Sequence, residues 1–429
     1  MQKYGEGTWA PSLRFHDGKF WIYVCTPHEG LFMTTASTPQ GPWAPMVCVK
    51  SVDGWEDPCP FWDEDGQAYL GHSVLGAGPI FMHRMSADGT QLLDEGTVVY
   101  RGPVAEGTKI YKRNGWYYLI IPEGGVGTGW QTALRAKEIY GPYEKRIVLE
   151  QGTTTINGPH QGGLVELKSG ESWFIHFQDK PALGRVTHLQ PVRWADDWPM
   201  MGIDLDQNGV GEPVEVYKKP DVGNVFSMNA PQTSDDFSSP QLGLQWQWNH
   251  NPVNGMWSLE KQKGCLMLSA MKADQFSTAR NTLTQKLMGE SGYAITEMSV
   301  KNIAEGQKAG ICFIGKANYL IGVKRKNGEL MIFADFNGRE VESSKVTQEK
   351  VWLQCKVDVA NKSNILYYSF DGKNYLFIGG NCDLQNGYWK GSKIGLFSYN
   401  TIKDEGIATF SWFKYFFDGP LGQCIRIRE

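Results

Sequence analysis

Two carboxylates, Asp57 and Glu106, an imidazole, His160, and an indole, Trp9, stand at matching distances ahead of a turn glycine. Counting back nine positions from Gly18, Gly66 and Gly115 gives Trp9, Asp57 and Glu106, and ten positions back from Gly170 gives His160. Paired carboxylates in aromatic surroundings suit general acid–base chemistry, in which one acid protonates a departing oxygen and a second carboxylate assists or activates water. Taken singly, Asp57 reads as a turn residue before Pro58 and Glu106 as an exposed acid before Gly107. Matched placement in successive repeats favours a shared site, because packing of such repeats requires no acid there.

The repeats that must position these residues are Trp9–Tyr23, Asp57–Leu70 and Glu106–Ile120, with a looser fourth at Pro159–His176. Each reads as a strand, an Asp-Gly, Asn-Gly or Ser-Gly turn, and a second strand rich in aromatic and β-branched residues, which is a strong hairpin signal. The turn glycines recur about every 50 residues, the length of a four-stranded blade. The spacing predicts a β-propeller whose innermost strands line one channel, so the four residues converge although they are distant in sequence.

Tyr217 to Ser234 has the Pro, Gly, Asn and Ser content of a linker, placing domains at 1–225 and 235–429. Beyond it, short alternating strands such as Ala309–Ile314, Tyr319–Lys324 and Lys393–Phe397 predict a β-sandwich. Trp246, Trp248 and Trp389 could stack on a flat ligand, but packing is the better expectation for each.

Charge narrows the partners: 42 basic and 46 acidic residues are mixed along the chain, leaving no basic stripe for nucleic acid. The eight cysteines include no C-x-x-C pair, so neither a zinc site nor a compact disulfide framework is indicated. No run of apolar residues reaches the length of a membrane span, and no signal peptide opens the sequence.

Taken together, Trp9-Ala-Pro-Ser, Asp57-Pro-Cys-Pro-Phe-Trp-Asp-Glu-Asp-Gly, Glu106-Gly-Thr-Lys-Ile-Tyr-Lys-Arg-Asn-Gly, Asn157-Gly-Pro-His160-Gln-Gly, Gly184-Arg185-Val-Thr-His and Asp196-Asp-Trp-Pro199 resemble family 43 glycoside hydrolases of the β-xylosidase and α-L-arabinofuranosidase kind. The second half resembles the concanavalin-like C-terminal domain that accompanies them, including Gly387–Asn400. The resemblance implies an all-β protein, a five-bladed type of propeller followed by a concanavalin-like sandwich. It implies that Glu106 is the general acid and Asp57 a modulating carboxylate, with Trp9, His160 and Arg185 binding sugar. It also implies no organic cofactor and, in some relatives, a central calcium ion approached by the channel histidine, here His160, usually through water. The activity it implies is inverting removal of terminal xylose or arabinose from xylo- or arabino-oligosaccharides, in a periplasmic or extracellular setting.

Relatives carry a blade before the Trp-Ala-Pro motif, bearing the aspartate that serves as general base. The sequence reading therefore expects a propeller truncated at its N-terminus, with open edges that favour low stability or a homo-oligomer. Three accounts stay open: a start lying upstream, a carbohydrate-binding protein without turnover, or a substitute carboxylate, for which Glu6 and Asp17 are the nearby acids.

Overall fold

Asn-Gly and Asp-Gly turns shape the first half of the molecule as its sequence requires. Asp17 and Gly18 have φ of 46° and 70°, and Asn114 and Gly115 have 50° and 70°, the paired left-handed geometry that closes a two-residue hairpin. The computed structural model describes residues 7–227, 229–379, 382–384 and 387–419. Glu6 and Cys424 lie outside them; the other seven cysteines are free thiols.

The first blade comprises β1 (Trp9–His16), β2 (Lys19–Thr26), β3 (Gly30–Ala36) and β4 (Val47–Lys50). The second comprises β5 (Trp55–Trp62), β6 (Ala68–Val74), β7 (Ile80–Met85) and β8 (Thr97–Tyr100). The third is β9 (Lys109–Arg113), β10 (Trp116–Glu123), β11 (Trp130–Ala136) and β12 (Glu144–Leu149), and the fourth β13 (His160–Glu166), β14 (Ser172–Lys180), β15 (Gly184–Ala195) and β16 (Trp198–Met201). Each blade is a four-stranded antiparallel meander in sequence order. Four blades are present among the described residues; the sequence reading expects a five-bladed type of propeller truncated by its first blade.

Apolar side chains fill the spaces between successive blades. Tyr23 and Leu31 meet Leu70, Cys59 and Ile80 meet Leu119, and Tyr118 and Ile120 meet Phe174. All are at most 2% exposed, and each such side chain contributes roughly 1.5–3 kcal/mol on burial. This packing fixes the innermost strands β1, β5, β9 and β13 beside one another.

The second half is a sandwich of two eight-stranded sheets over a core that includes Leu283, Ile321, Leu353 and Phe410. Trp246 belongs to this core and donates its indole N–H to Asp235 at 2.8 Å, Trp248 packs on Trp257, and Trp389 is exposed. By contact density the chain forms two compact units, residues 1–179 with 186–225, and residues 180–185 with 226–429. The short excursion 180–185 joins the second unit because Gly387 N–H donates to Pro181 and Ser392 N–H to Ala182, at 2.9 and 2.8 Å.

Candidate active site

The first strands of the four blades share one irregularity, and it builds the site. Pairing steps from Trp9↔Cys25 to Ser12↔Tyr23 in β1, from Glu56↔Ser73 to Cys59↔Gly71 in β5, and from His160↔Phe177 to Gly163↔Ile175 in β13. Just ahead of β9 the offset is the same: Lys109 pairs Ile120 while Glu106 N–H donates to Pro122 O at 3.3 Å. The residue after each of these positions is left-handed, with φ of 33° at Ala10, 53° at Asp57, 63° at Gly107 and 52° at Gln161. Such a bulge adds one residue to the strand and re-aims its side chains, so neighbours in sequence can face one side.

Strand register therefore corrects the count from the turn glycines. The equivalent positions are Trp9, Glu56, Glu106 and His160, with Asp57 one residue further on, at the bulge. Blades one and three close with two-residue turns, whereas Trp62↔Ala68 and Glu166↔Ser172 bracket five-residue turns that move the glycine one place away. The wider Asp63-Glu64-Asp65-Gly66-Gln67 turn was the signal that could have found Glu56.

The structure brings Asp57, Glu106 and His160 together and adds Glu56. Carboxylate oxygens of Glu56, Asp57 and Glu106 lie within 4.8 Å of one another. His160 is buried and its Nε2 lies 2.9 Å from Glu106 Oε1, while the Glu106 side chain keeps 22% of its surface exposed. Asp57, 3% exposed, accepts hydrogen bonds at Oδ2 from Gly107 N–H (2.8 Å) and Gln161 Nε2 (3.2 Å). Gln131 holds the β13 bulge, its amide donating to Pro159 O and Gln161 O at 3.0 and 2.8 Å.

Two unit charges at this separation repel by about 3–4 kcal/mol at an effective dielectric constant near 20, so the adjacent buried pair Glu56 and Asp57 resists full ionisation. Burial pushes the Glu56 carboxyl up to about 7, aided by Asp57 and Glu106 and opposed by the N–H of Ala77, which donates to Oε1 at 3.0 Å. Burial likewise raises Asp57, against the opposing pull of the Lys109 ammonium. Lys109, which sequence reasoning missed, is lowered by burial and donates to Gly107 O at 3.0 Å and Thr108 O at 3.4 Å. It is a built-in cation facing the acids.

Trp9 is half-buried in blade one, at the register position of Glu106. Arg185 is half-buried near the start of β15, within the excursion that joins the second unit. Asp17 occupies the β1–β2 turn, at the opposite end of the strand from Trp9, so it is spent on the hairpin.

His160 Nδ1 is buried without a hydrogen-bond partner among the described residues. Calcium takes six to eight oxygen ligands, and the close grouping of acids beside His160 is already engaged by backbone and amide donors. His160 offers one orphan nitrogen, which suits a water molecule, the route by which a calcium ion would be approached there.

Against this geometry, residues 1–199 match the family model described as glycosyl hydrolases family 43 and residues 234–416 that of the beta xylosidase C-terminal concanavalin A-like domain. A relative from Xylanibacter ruminicola is 55% identical over 91% of this chain and 74% of its own length. A beta-xylosidase of Formosa agariphila is 36% identical over 98% of this chain and 80% of its own. A non-reducing end alpha-L-arabinofuranosidase of Bacteroides ovatus, BoGH43B, is 28% identical over 95% and 81%. Among solved structures, the GH43 protein BlXynB of Bacillus licheniformis superposes with a TM-score of 0.83 at 26% identity, covering 96% of this chain and 86% of that one. With a carboxylate cluster carried at the first strands of adjacent propeller blades and matches of this extent, the chain belongs to the glycosyl hydrolases of family 43.

Proposed function

We propose that this glycosidase removes terminal xylose or arabinose from xylo- or arabino-oligosaccharides, with Glu106 as the proton donor to the departing oxygen. One observation carries the reading: Glu106 is the solvent-reaching member of a buried acid cluster, held on one side by His160 and facing Asp57 on the other. Asp57 is the second carboxylate of the pair, held beside Glu106 by the Gly107 N–H and the Gln161 amide. Trp9, His160 and Arg185 are assigned to sugar binding by the motifs they share with the family. The names of the Formosa and Bacteroides relatives support the two pentoses. The family's polymeric substrates favour a periplasmic or extracellular setting, and no helix among the described residues is long and apolar enough to cross a membrane.

Inversion requires a second carboxylate roughly 6.5–9.5 Å from the acid, with water between them. Glu56 and Asp57 sit closer than that to Glu106, so neither serves as the water-activating base. The second reading is sugar binding without turnover. The homo-oligomer rests on exposed Leu13, Phe15 and Val165 around a cavity of ≈ 710 Å³ at the far ends of the innermost strands, and light scattering tests it.

Release of xylose from xylobiose, and of p-nitrophenol from the β-xyloside and α-L-arabinofuranoside, tests the activity. Glu106→Gln is expected to lower xylobiose turnover by about 10²–10⁴ and to affect the activated aryl substrates less, since their leaving group needs little protonation. Xylose binding by the wild-type chain with no sugar released from any substrate would establish the binding reading instead.

A further inference from the structure

Strand pairing sets Glu106 opposite Pro122 in blade three and His160 opposite Phe177 in blade four. One residue further along the second strand stand Glu123 and Gln178, both buried, and each side chain reaches back to the connection that delivers its own blade's site residue. Gln178 Nε2 donates to Thr155 O at 2.9 Å and to Asn157 Oδ1 at 2.7 Å, just ahead of His160. Glu123, 0% exposed, accepts at Oε1 from the hydroxyl of Tyr100, the last residue of β8, at 2.8 Å. Its Oε2 accepts from the Thr132 hydroxyl on β11 and from the Lys145 ammonium on β12, the latter at 2.8 Å. One oxygen is thus tied to blade three and the other to the connection, residues 101–108, that carries Glu106. The backbone on either side of Glu123 holds the same connection: Pro122 O accepts from Glu106 N–H at 3.3 Å, and Gly124 N–H donates to Pro103 O at 2.9 Å. A Cβ at Gly102 would run into Glu123 Oε1, so the chain passes directly over the carboxylate. Blades one and two fold with Thr26 and Val74 at this position, so blade packing calls for no buried acid there.

Building on the reading of Glu106 as proton donor, we propose that Glu123 is a positioning residue for that donor, anchoring through Tyr100 and Gly102 the connection on which Glu106 is mounted. Glu123 belongs to none of the motifs that mark the site, and it acts through Glu106 rather than on the sugar. A buried carboxylate is costly unless it is paired and hydrogen-bonded, and here the pairing with Lys145, Thr132 and Tyr100 converts that cost into a rigid link between β10 and the connection. Lys145 completes the link by donating to the Tyr100 hydroxyl at 2.7 Å. A donor must stay within hydrogen-bond reach of the departing oxygen, so loosening the link weakens protonation while leaving the sugar-binding residues in place.

Three variants of the whole chain test this, each first shown to be folded by urea unfolding. Tyr100→Phe cuts the link to the connection and leaves Glu123 its Thr132 and Lys145 partners; Glu123→Ala removes the link entirely; Glu123→Gln keeps a group that can bond the Tyr100 hydroxyl. For each, kcat and KM are measured on xylobiose, whose leaving group needs a proton, and on p-nitrophenyl β-xyloside, whose leaving group needs little. Tyr100→Phe and Glu123→Ala are expected to lower kcat on xylobiose by about 10–10²-fold with KM nearly unchanged, and kcat on the aryl substrate several-fold less. Glu123→Gln is expected to recover part of the xylobiose loss. A residue that only stabilises its blade lowers both substrates by one factor, the folded fraction, so an equal loss on both in folded Tyr100→Phe overturns the proposal. Should Glu123→Ala fail to fold, Tyr100→Phe decides. Failure of the donor reading is told apart because it appears with residues 100 and 123 unchanged: Glu106→Gln that treats the two substrates alike, or a wild-type chain that releases no sugar, overturns that reading and the inference with it.

Discussion

At the scale of single residues, the acid cluster divides into parts that sequence could reveal and parts that only strand pairing reveals. Asp57, Glu106 and His160 were legible because each sits in a motif before a countable turn. Glu56 was not, because a wider turn shifts the count by one and its neighbour Asp57 already satisfied it. Lys109 and Gln161 were not legible either, since their roles depend on Asp57, about 50 and 100 residues away in sequence. Their geometry makes a further prediction. Asp57→Asn removes the charge that faces the buried Lys109 ammonium and disturbs an oxygen accepting two hydrogen bonds, so it should cost about 1–3 kcal/mol of stability. Adding Lys109→Met should recover much of that stability in urea unfolding while xylobiose turnover stays low. Recovery of both together would make Asp57 a structural residue only.

At the scale of elements, the hairpins were legible and the bulges were not. Asp-Gly and Asn-Gly announce a turn by composition, whereas a one-residue insertion leaves no compositional mark and shows only in pairing. Gly107 and Gly18 separate the two kinds of feature, both being left-handed, with φ of 63° and 70°. A Cβ at Gly18 would meet nothing within 4 Å, so Gly18→Ala carries only the backbone penalty of roughly 1–2 kcal/mol. A Cβ at Gly107 would lie 2.8 Å from Pro122 Cδ and 2.9 Å from Gln161 Oε1, the side chain whose amide nitrogen holds Asp57. Gly107→Ala should therefore unfold at lower urea than Gly18→Ala and lose turnover as well, where Gly18→Ala keeps it. Equal midpoints and equal activity would show that the third bulge does not transmit to the cluster.

At the scale of the whole molecule, the order of a propeller followed by a sandwich followed from repeat length and linker composition. The excursion of residues 180–185 into the second unit did not, because backbone bonds to Gly387 and Ser392 have no trace in either segment alone. Stability against acid is a property of the assembled blades, and it rests on histidines that no motif marked. His72 is 1% exposed, stacked on Trp55 and Phe81, with its Nε2 3.0 Å from His83 Nε2; burial depresses it to about 3. His176, 2% exposed, is depressed by burial to about 4. Unfolding returns both to an ordinary value near 6.5, so between that pH and the folded values the unfolded chain binds protons that the native chain refuses. Their contribution is complete above pH 6.5 and declines as pH falls, by about 1.4 kcal/mol per pH unit for each histidine well below 6.5. Urea unfolding at pH 7, 6 and 5 should show this decline, and His72→Phe, which preserves the stack, should flatten it by roughly one histidine's share. A slope unchanged in His72→Phe would assign the acid sensitivity to other groups, because a buried neutral imidazole cannot be removed without removing its linkage to pH.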